Sequence, residues 1–134
     1  MYYSVAPFKF YILTEDTAKG ARIVGFFSKE LGNTEYNLAC ILILPPFQCN
    51  GYGKFLISLS YELSKREKQM GTPERPLSDL GKVSYKSYWT DTILRLLAKN
   101  ENLSIKDISD TTYIHPDDVL ETLNALNLTV YWKG

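Results

Sequence analysis

Ile41-Leu42-Ile43-Leu44-Pro45-Pro46-Phe47-Gln48-Cys49-Asn50-Gly51-Tyr52-Gly53-Lys54-Phe55-Leu56 changes its apolar period halfway along, and that change decides the fold class. Its first residues end an apolar run from Tyr36 to Leu44, which reads as a strand buried on both faces. Pro45 and Pro46 close the strand, because proline brings no donor to a ladder. From Gly51 to Lys68 the spacing becomes helical. Tyr52, Phe55, Leu56, Leu59 and Leu63 form one side, and Lys54, Ser58, Glu62, Lys65 and Arg66 the other. Between strand and helix stands Gln48 to Gly53. Glycines at a helix start leave backbone amides pointing outward with no Cβ in the way, which is what a phosphate group needs.

Outward from this unit, the N-terminal side reads as an antiparallel meander. Phe8 to Thr14 is a strand, Thr17-Ala18-Lys19-Gly20 a turn, and Arg22 to Ser28 a second strand closed around Leu31-Gly32-Asn33. On the C-terminal side, Gly71-Thr72-Pro73-Glu74-Arg75-Pro76 reads as an extended loop, since each proline biases its predecessor away from helix. A helix follows Ser78, with Val83, Tyr85, Tyr88, Trp89, Ile93, Leu96 and Leu97 on its apolar side. Ser104-Ile105-Lys106-Asp107 opens another helix through a capping-box variant. His115-Pro116-Asp117-Asp118 opens a fourth, with proline in its first turn and acids at the positive dipole end. Leu128 to Trp132 reads as a closing strand.

The whole chain has 134 residues, 45% of them hydrophobic, which suffices for one core and not for two independent ones. Fifteen basic and fifteen acidic residues cancel, so the charge footprint of a general nucleic-acid binder is absent. No run reaches the length of a membrane span, and the N-terminus lacks the blocks of a secretory signal. Cys40 and Cys49 are too few for a disulfide framework and point to a reducing compartment. With His115 the single histidine, no zinc finger is expected within these residues, and no metal site is assigned. The glycine turn is not a nucleotide-hydrolysing P-loop, because no Lys-Ser or Lys-Thr follows it. Nor is it a dinucleotide fingerprint, because no βαβ unit places an acid at a ribose. Two readings remain: a pyrophosphate loop of the kind that takes coenzyme A, and a glycine-rich strand-to-helix turn with no ligand.

Several stretches in register carry a resemblance. They are Val24-Gly25-Phe26-Phe27-Ser28-Lys29-Glu30, Tyr36-Asn37-Leu38-Ala39-Cys40-Ile41-Leu42, the Gln48–Gly53 turn, and Ser60-Tyr61-Glu62-Leu63-Ser64-Lys65. Pro73-Glu74-Arg75-Pro76-Leu77-Ser78-Asp79-Leu80-Gly81 and Ser84-Tyr85-Lys86-Ser87-Tyr88-Trp89 follow in order. Together they resemble the MYST family of histone acetyltransferases from about Phe8 to Gly134.

The resemblance implies an α+β, GNAT-like acetyltransferase fold. Its sheet would be mainly antiparallel, with a cofactor-binding helix and a helical, winged-helix-like C-terminal part. The chain would be one acetyltransferase domain fragment, residues 1–80 being the acetyl-CoA-binding core and 81–134 the helical part. The resemblance further implies that Ile41, Leu42 and Ile43 offer backbone groups to the acetyl and pantetheine end of acetyl-CoA. Gln48, Cys49, Asn50, Gly51, Tyr52, Gly53 and Lys54 would cradle the pyrophosphate, and Ser78 and Ser87 would contact coenzyme A. Ser78 reads equally as a helix N-cap, and both roles can hold.

Two catalytic positions come with the resemblance. Glu74 matches the general base: a lysine amine with a pKa near ~10.4 arrives protonated and must lose that proton before it attacks a thioester. Cys40 matches a cysteine proposed to carry the acetyl group. Its own neighbourhood, a small residue in an apolar strand with no adjacent base, reads as a packed thiol that lines the pocket. Direct transfer in a ternary complex follows. The expected acceptor is a histone tail or another lysine-bearing protein, the setting a nuclear chromatin complex.

The sequence departs from the family pattern in places. Cys49 and Asn50 stand where arginines are usual, and Ile43 where threonine is. The family's zinc finger and autoacetylated lysine fall upstream of these residues, and its chain continues past Gly134.

Two other functions compete: a non-catalytic acetyl-CoA-binding protein and a winged-helix interaction module. Between Ser104 and Asn127 a single cation, Lys106, faces Asp107, Asp110, Asp117, Asp118 and Glu121. That balance speaks against a DNA-reading helix and suits a basic peptide better.

Overall fold

The computed structural model describes residues 7–32, 35–100 and 102–128. Among the described residues, a three-stranded antiparallel sheet in the order β1-β2-β3 leads into four helices. β1 (Phe8–Thr17) and β2 (Gly20–Glu30) form a long hairpin in which Thr17 pairs with Gly20. Both strands run further than their apolar patterning suggests. Glu15 to Thr17 and Gly20 to Arg22 pair across the turn with both partners largely solvated. A bulge between Leu13 and Thr14 adds one residue to β2.

β3 is Cys40–Ile43, much shorter than the Tyr36–Leu44 expected, and it is not buried on both faces. Its residues alternate exposed, buried, exposed, buried. An apolar run alone cannot separate a doubly buried strand from a half-buried one. Ile41 and Ile43 face the core with Phe27, Tyr11 and Leu13, and the Tyr11 and Phe27 rings stack at 4.7 Å. On the other face Phe10, Ile12, Ile23, Phe26, Leu42 and Leu44 line an open apolar groove.

A single 3-10 turn, Pro45–Phe47, joins β3 to α1 (Tyr52–Glu67). α1 packs on β2 and β3 and lies along α2 (Asp79–Lys99). The buried side of α1 is Gly53, Leu56, Ile57, Ser60, Tyr61 and Ser64. It is rotated from the side expected, and Phe55 is left 55% exposed. α2 buries Tyr85, Tyr88, Trp89 and Ile93 as expected, but Val83 stands in solvent. Tyr61 and Tyr88 stack at 5.0 Å, and the Trp89 indole N–H donates to the Tyr61 hydroxyl at 2.8 Å. Burial, with Tyr85 beside it, pushes the Tyr61 hydroxyl well above its ordinary pKa, so it stays a neutral partner in this core.

α3 (Ile105–Thr112) begins with the expected capping box. The Ser104 hydroxyl accepts from Asp107 N–H at 3.0 Å, and the Asp107 carboxylate accepts from Ser104 N–H at 3.1 Å. α4 (Pro116–Ala125) starts at His115-Pro116, and both helices pack against α2. One cluster of buried side chains runs from Phe27 through Tyr61 and Tyr85 to Leu123, tying sheet and helices together. The closing strand expected over Leu128 to Trp132 lies, past Leu128, outside the described residues.

Candidate functional site

Two loops flank β3. The first, Gln48 to Gly51, is held by its own side chains bonding back to nearby carbonyls. Gln48 Nε2 donates to the Ile43 carbonyl at 3.0 Å, and Asn50 Nδ2 donates to the carbonyls of Gln48 and Phe47 at 3.3 and 3.4 Å. Cys49 (φ 64°) and Gly51 (φ 83°) both turn into the left-handed region. Gly51 in that conformation is the N-cap of α1, with no side-chain cap. Phe55 N–H is the first to bond within the helix, to Gly51 O at 3.0 Å. The amides of Tyr52, Gly53 and Lys54 therefore precede the intrahelical ladder, as the first N–H groups of any helix do.

The two glycines serve different ends. A Cβ at Gly51 would meet nothing within 4 Å, so this residue is glycine for its φ. A Cβ at Gly53 would lie 2.7 Å from Ser84 Oγ, so Gly53 sets the close approach of α1 to α2. The Lys54 side chain has a partner within the fold. Its ammonium pairs with Asp91 of α2, and that hydrogen bond pulls the Asp91 carboxyl below its ordinary pKa. The charge of Lys54 is thus engaged within the protein, and its backbone amide lies ahead of the first intrahelical bond.

Ser78 is the N-cap of α2, its hydroxyl accepting from Gly81 N–H at 3.1 Å. Ser87 is half-buried further along the same helix. Nine residues separate the two, about 13 Å along the axis, so the fold does not bring them together. Ile41 and Ile43 are core residues and Leu42 is exposed. Cys40, expected to be packed, is exposed at the start of β3 opposite Ser28. The alternation of β3 puts it with Leu42 on the face away from α1.

The second loop carries Glu74 and is held from three directions. Asn37 N–H donates to Thr72 O at 3.0 Å, and Glu74 N–H donates to Leu38 O at 2.9 Å. Gly71 N–H donates to Tyr113 O at 2.7 Å, and His115 N–H donates back to Gly71 O at 3.1 Å. These two parallel bridges, Leu38 with Pro73 and Gly71 with Ile114, place the loop between the approach to β3 and the α3–α4 junction. Glu74 directly follows Pro73, the bridge partner of Leu38, which stands two residues before Cys40, and Glu74 itself is exposed. The adjacent guanidinium does not pair with it. Arg75 donates to Asp118 Oδ1 at 2.6 Å and to Thr72 Oγ1 at 3.1 Å, and Thr72 Oγ1 donates to Asp118 Oδ2 at 2.7 Å.

An open groove of about 710 Å³ borders this loop, lined among others by Glu35, Tyr36, Thr72, Arg75, Asp118 and Glu121. The Glu35 carboxylate raises the Tyr36 hydroxyl above its ordinary pKa, with Glu74 adding to the effect and Arg75 opposing it. Tyr36, Thr72 and Asp118 belong to the site's surroundings, and sequence reasoning gave none of them a role there. Asp118 read as an acid at the positive dipole end of a helix, and only the three-dimensional contact shows it buried against Thr72 and Arg75.

A family model described as the MOZ/SAS family matches residues 1–134. The chain is 58% identical over 136 residues to the histone acetyltransferase of the MYST family 1 of Arabidopsis thaliana, covering 100% of this chain and 31% of that protein. It is 52% identical over 141 residues to the histone acetyltransferase Tip60 homolog of Caenorhabditis elegans, again all of this chain and 31% of that protein. Histone acetyltransferase MOF of Drosophila melanogaster is 49% identical over 138 residues, and the match covers 17% of it. The chain thus spans about a third or less of the length of these curated relatives.

Proposed function

From the premise that this chain belongs to the MOZ/SAS (MYST) family, we propose that it transfers an acetyl group from acetyl-CoA to a protein lysine, histones being the substrate class. The observation that carries the reading is the arrangement around β3. A helix start with unpaired amides lies after its end, and a tightly held, solvent-facing carboxylate lies beside its beginning. The α+β architecture with its antiparallel sheet is consistent with an acetyltransferase, and we assign it the GNAT-like form. Residues 1–80 are then the acetyl-CoA-binding core and 81–134 a helical, winged-helix-like part that buttresses it. The setting is a nuclear chromatin complex.

The residues present fit coenzyme A. The amides of Tyr52, Gly53 and Lys54 and the open backbone at Gly51 form an anion-accepting helix start, worth most where no side chain crowds it. Gln48, Cys49 and Asn50 complete that loop. The backbone of Ile41 to Ile43 runs alongside for the pantetheine arm, and Ser78 and Ser87 stand on α2 for further contacts. Acetyl-CoA supplies a thioester carbonyl open to attack by a neutral amine.

The protein's part is proton handling and positioning. Glu74 accepts the ammonium proton of the substrate lysine, directly or through a water, so that the lone pair becomes available. With Arg75 committed to Asp118, the Glu74 carboxylate is not neutralised by its neighbour. Cys40 lines the acetyl end without being acylated. The acidic groove beside the loop gives a cationic peptide favourable ground.

The test is mass spectrometry of histones incubated with the protein and acetyl-CoA, with thermal melts in acetyl-CoA, ATP and NAD alongside. Acetylated lysines, and a rise in Tm with acetyl-CoA alone, are expected. Equal shifts with all three ligands would leave only a generic phosphate site.

A further inference from the structure

We propose that Asp118, on the first turn of α4, is the positioning residue for the Glu74 segment; this rests on the reading of Glu74 as the base. Asp118 is 2% exposed. Its two carboxylate oxygens are both committed to the Glu74 loop. Oδ2 accepts from Thr72 Oγ1 at 2.7 Å and Oδ1 from Arg75 at 2.6 Å. Those partners bracket Pro73 and Glu74, and Arg75 also reaches the Pro73 carbonyl at 3.3 Å. The backbone bearing Glu74 is thus fixed on both flanks by one carboxylate from a helix more than forty residues away in sequence.

The usual work of an acid at this helix position is done by others. An acid in the first turn commonly reaches back to cap its own helix start. Here the N-cap is His115, whose Nδ1 accepts from Asp117 N–H at 3.1 Å. The His115 N–H is already used by Gly71 O. Asp118 is left to point inward, beside Tyr85, whose hydroxyl is pushed up by burial and then by this carboxylate.

Stability does not require such a residue. Taking a carboxylate out of water carries a penalty of several kcal/mol before its partners offset it, and apolar replacement of buried ion pairs is often neutral. Geometry does require something here. A base must hold its oxygen within hydrogen-bond reach of the proton it takes, and a misplacement of about 1 Å can cost about a hundredfold in rate. The three-oxygen, one-guanidinium clamp of Asp118, Thr72 and Arg75 supplies that definition to a loop that is otherwise exposed at Glu74.

The experiment compares wild type, Asp118→Asn, Glu74→Gln and the double variant in the full protein, with acetyl-CoA and a lysine-bearing histone tail peptide. Asp118→Asn should lower kcat by roughly 10–100-fold, with the KM for acetyl-CoA within about twofold of wild type. The double variant should be no slower than Glu74→Gln alone, because a misplaced base that is already absent has no further effect. A residue needed only for folding would multiply with Glu74→Gln instead, and that outcome overturns the proposal, as does an unchanged kcat in Asp118→Asn.

Should Asp118→Asn fold poorly, Arg75→Gln at the exposed end of the clamp gives the second route. It should reproduce the kcat loss, and Arg75→Lys should restore most of it; equal rates in Arg75→Gln and wild type would contradict the clamp. Hydrogen exchange separates this proposal from the reading it rests on. Faster exchange at the Glu74 amide in Asp118→Asn, with β1 and β2 unchanged, supports the clamp even if Glu74→Gln proves active. In that case the base assignment fails and the positioning of the loop stands.

Discussion

The loops on either side of β3 are built by opposite means. Gln48 to Gly51 is closed by bonds no more than five residues long and by two left-handed residues. Gly71 to Arg75 has little local structure and is held by Asn37, Leu38, Tyr113, His115 and Asp118. A binding loop that only needs to offer amides can be made locally, because its shape follows from φ angles. A segment that must hold one carboxylate in place needs fixed points outside itself.

The contrast is sharpest in the two glycines. Gly71→Ala should be the larger perturbation, since its Cβ would collide with the Asn37 amide and come within 2.9 Å of Ser64 Oγ. Overpacking a buried contact of this kind costs about 1–3 kcal/mol, and denaturant unfolding measures it. The rate of acetyl transfer should fall with it. Gly51→Ala meets no atom and should cost about 1 kcal/mol through the left-handed backbone alone, with Gly51→Asn milder. A reversal of that order would mean the Glu74 loop yields where its contacts say it cannot.

Cys49→Arg tests the binding loop itself. Cys49 is exposed, so an arginine there has room to reach a phosphate, and acetyl-CoA affinity by calorimetry should rise by up to about 1 kcal/mol at low salt. No gain would mean position 49 points away from the cofactor. The smallest effect concerns the capping box of α3, another locally built feature. Hydrogen bonds from Ser104 depress the Asp107 carboxyl below its ordinary value of 3.8. A depressed carboxylate stabilises the fold above its unfolded pKa and loses that contribution as pH falls through the folded value. Thermal melts should therefore show a small loss starting below about pH 4 that Asp107→Asn removes.

The same division explains what was legible. The turn into α1, the N-caps at Ser78 and Ser104, and the His115-Pro116 helix start are written in adjacent residues, and each stands where its sequence puts it. The buried face of α1 was not legible. Ser60 and Ser64 look like surface residues until Asn37 Nδ2 is seen donating to them at 3.5 and 3.2 Å from another element. The exposure of Cys40 and Leu42 was hidden as well, because what covers a strand is decided by other strands and helices. For the site, the residue types came from family resemblance; the clamp through Asp118 came from the fold.

The most direct test of the account is the single-turnover rate of acetyl transfer in Glu74→Gln, compared with wild type and with Cys40→Ala. Glutamine keeps the size and hydrogen bonding of the side chain but cannot take a proton, so the rate should fall by roughly 10²–10⁴-fold while acetyl-CoA affinity is unchanged. Cys40→Ala should keep most of the rate, and wild type held with acetyl-CoA and no acceptor should show no acetylated Cys40 by intact mass. Full transfer by Glu74→Gln would contradict the base assignment, and an acetyl group trapped on Cys40 with no transfer by a folded Cys40→Ala would contradict direct attack.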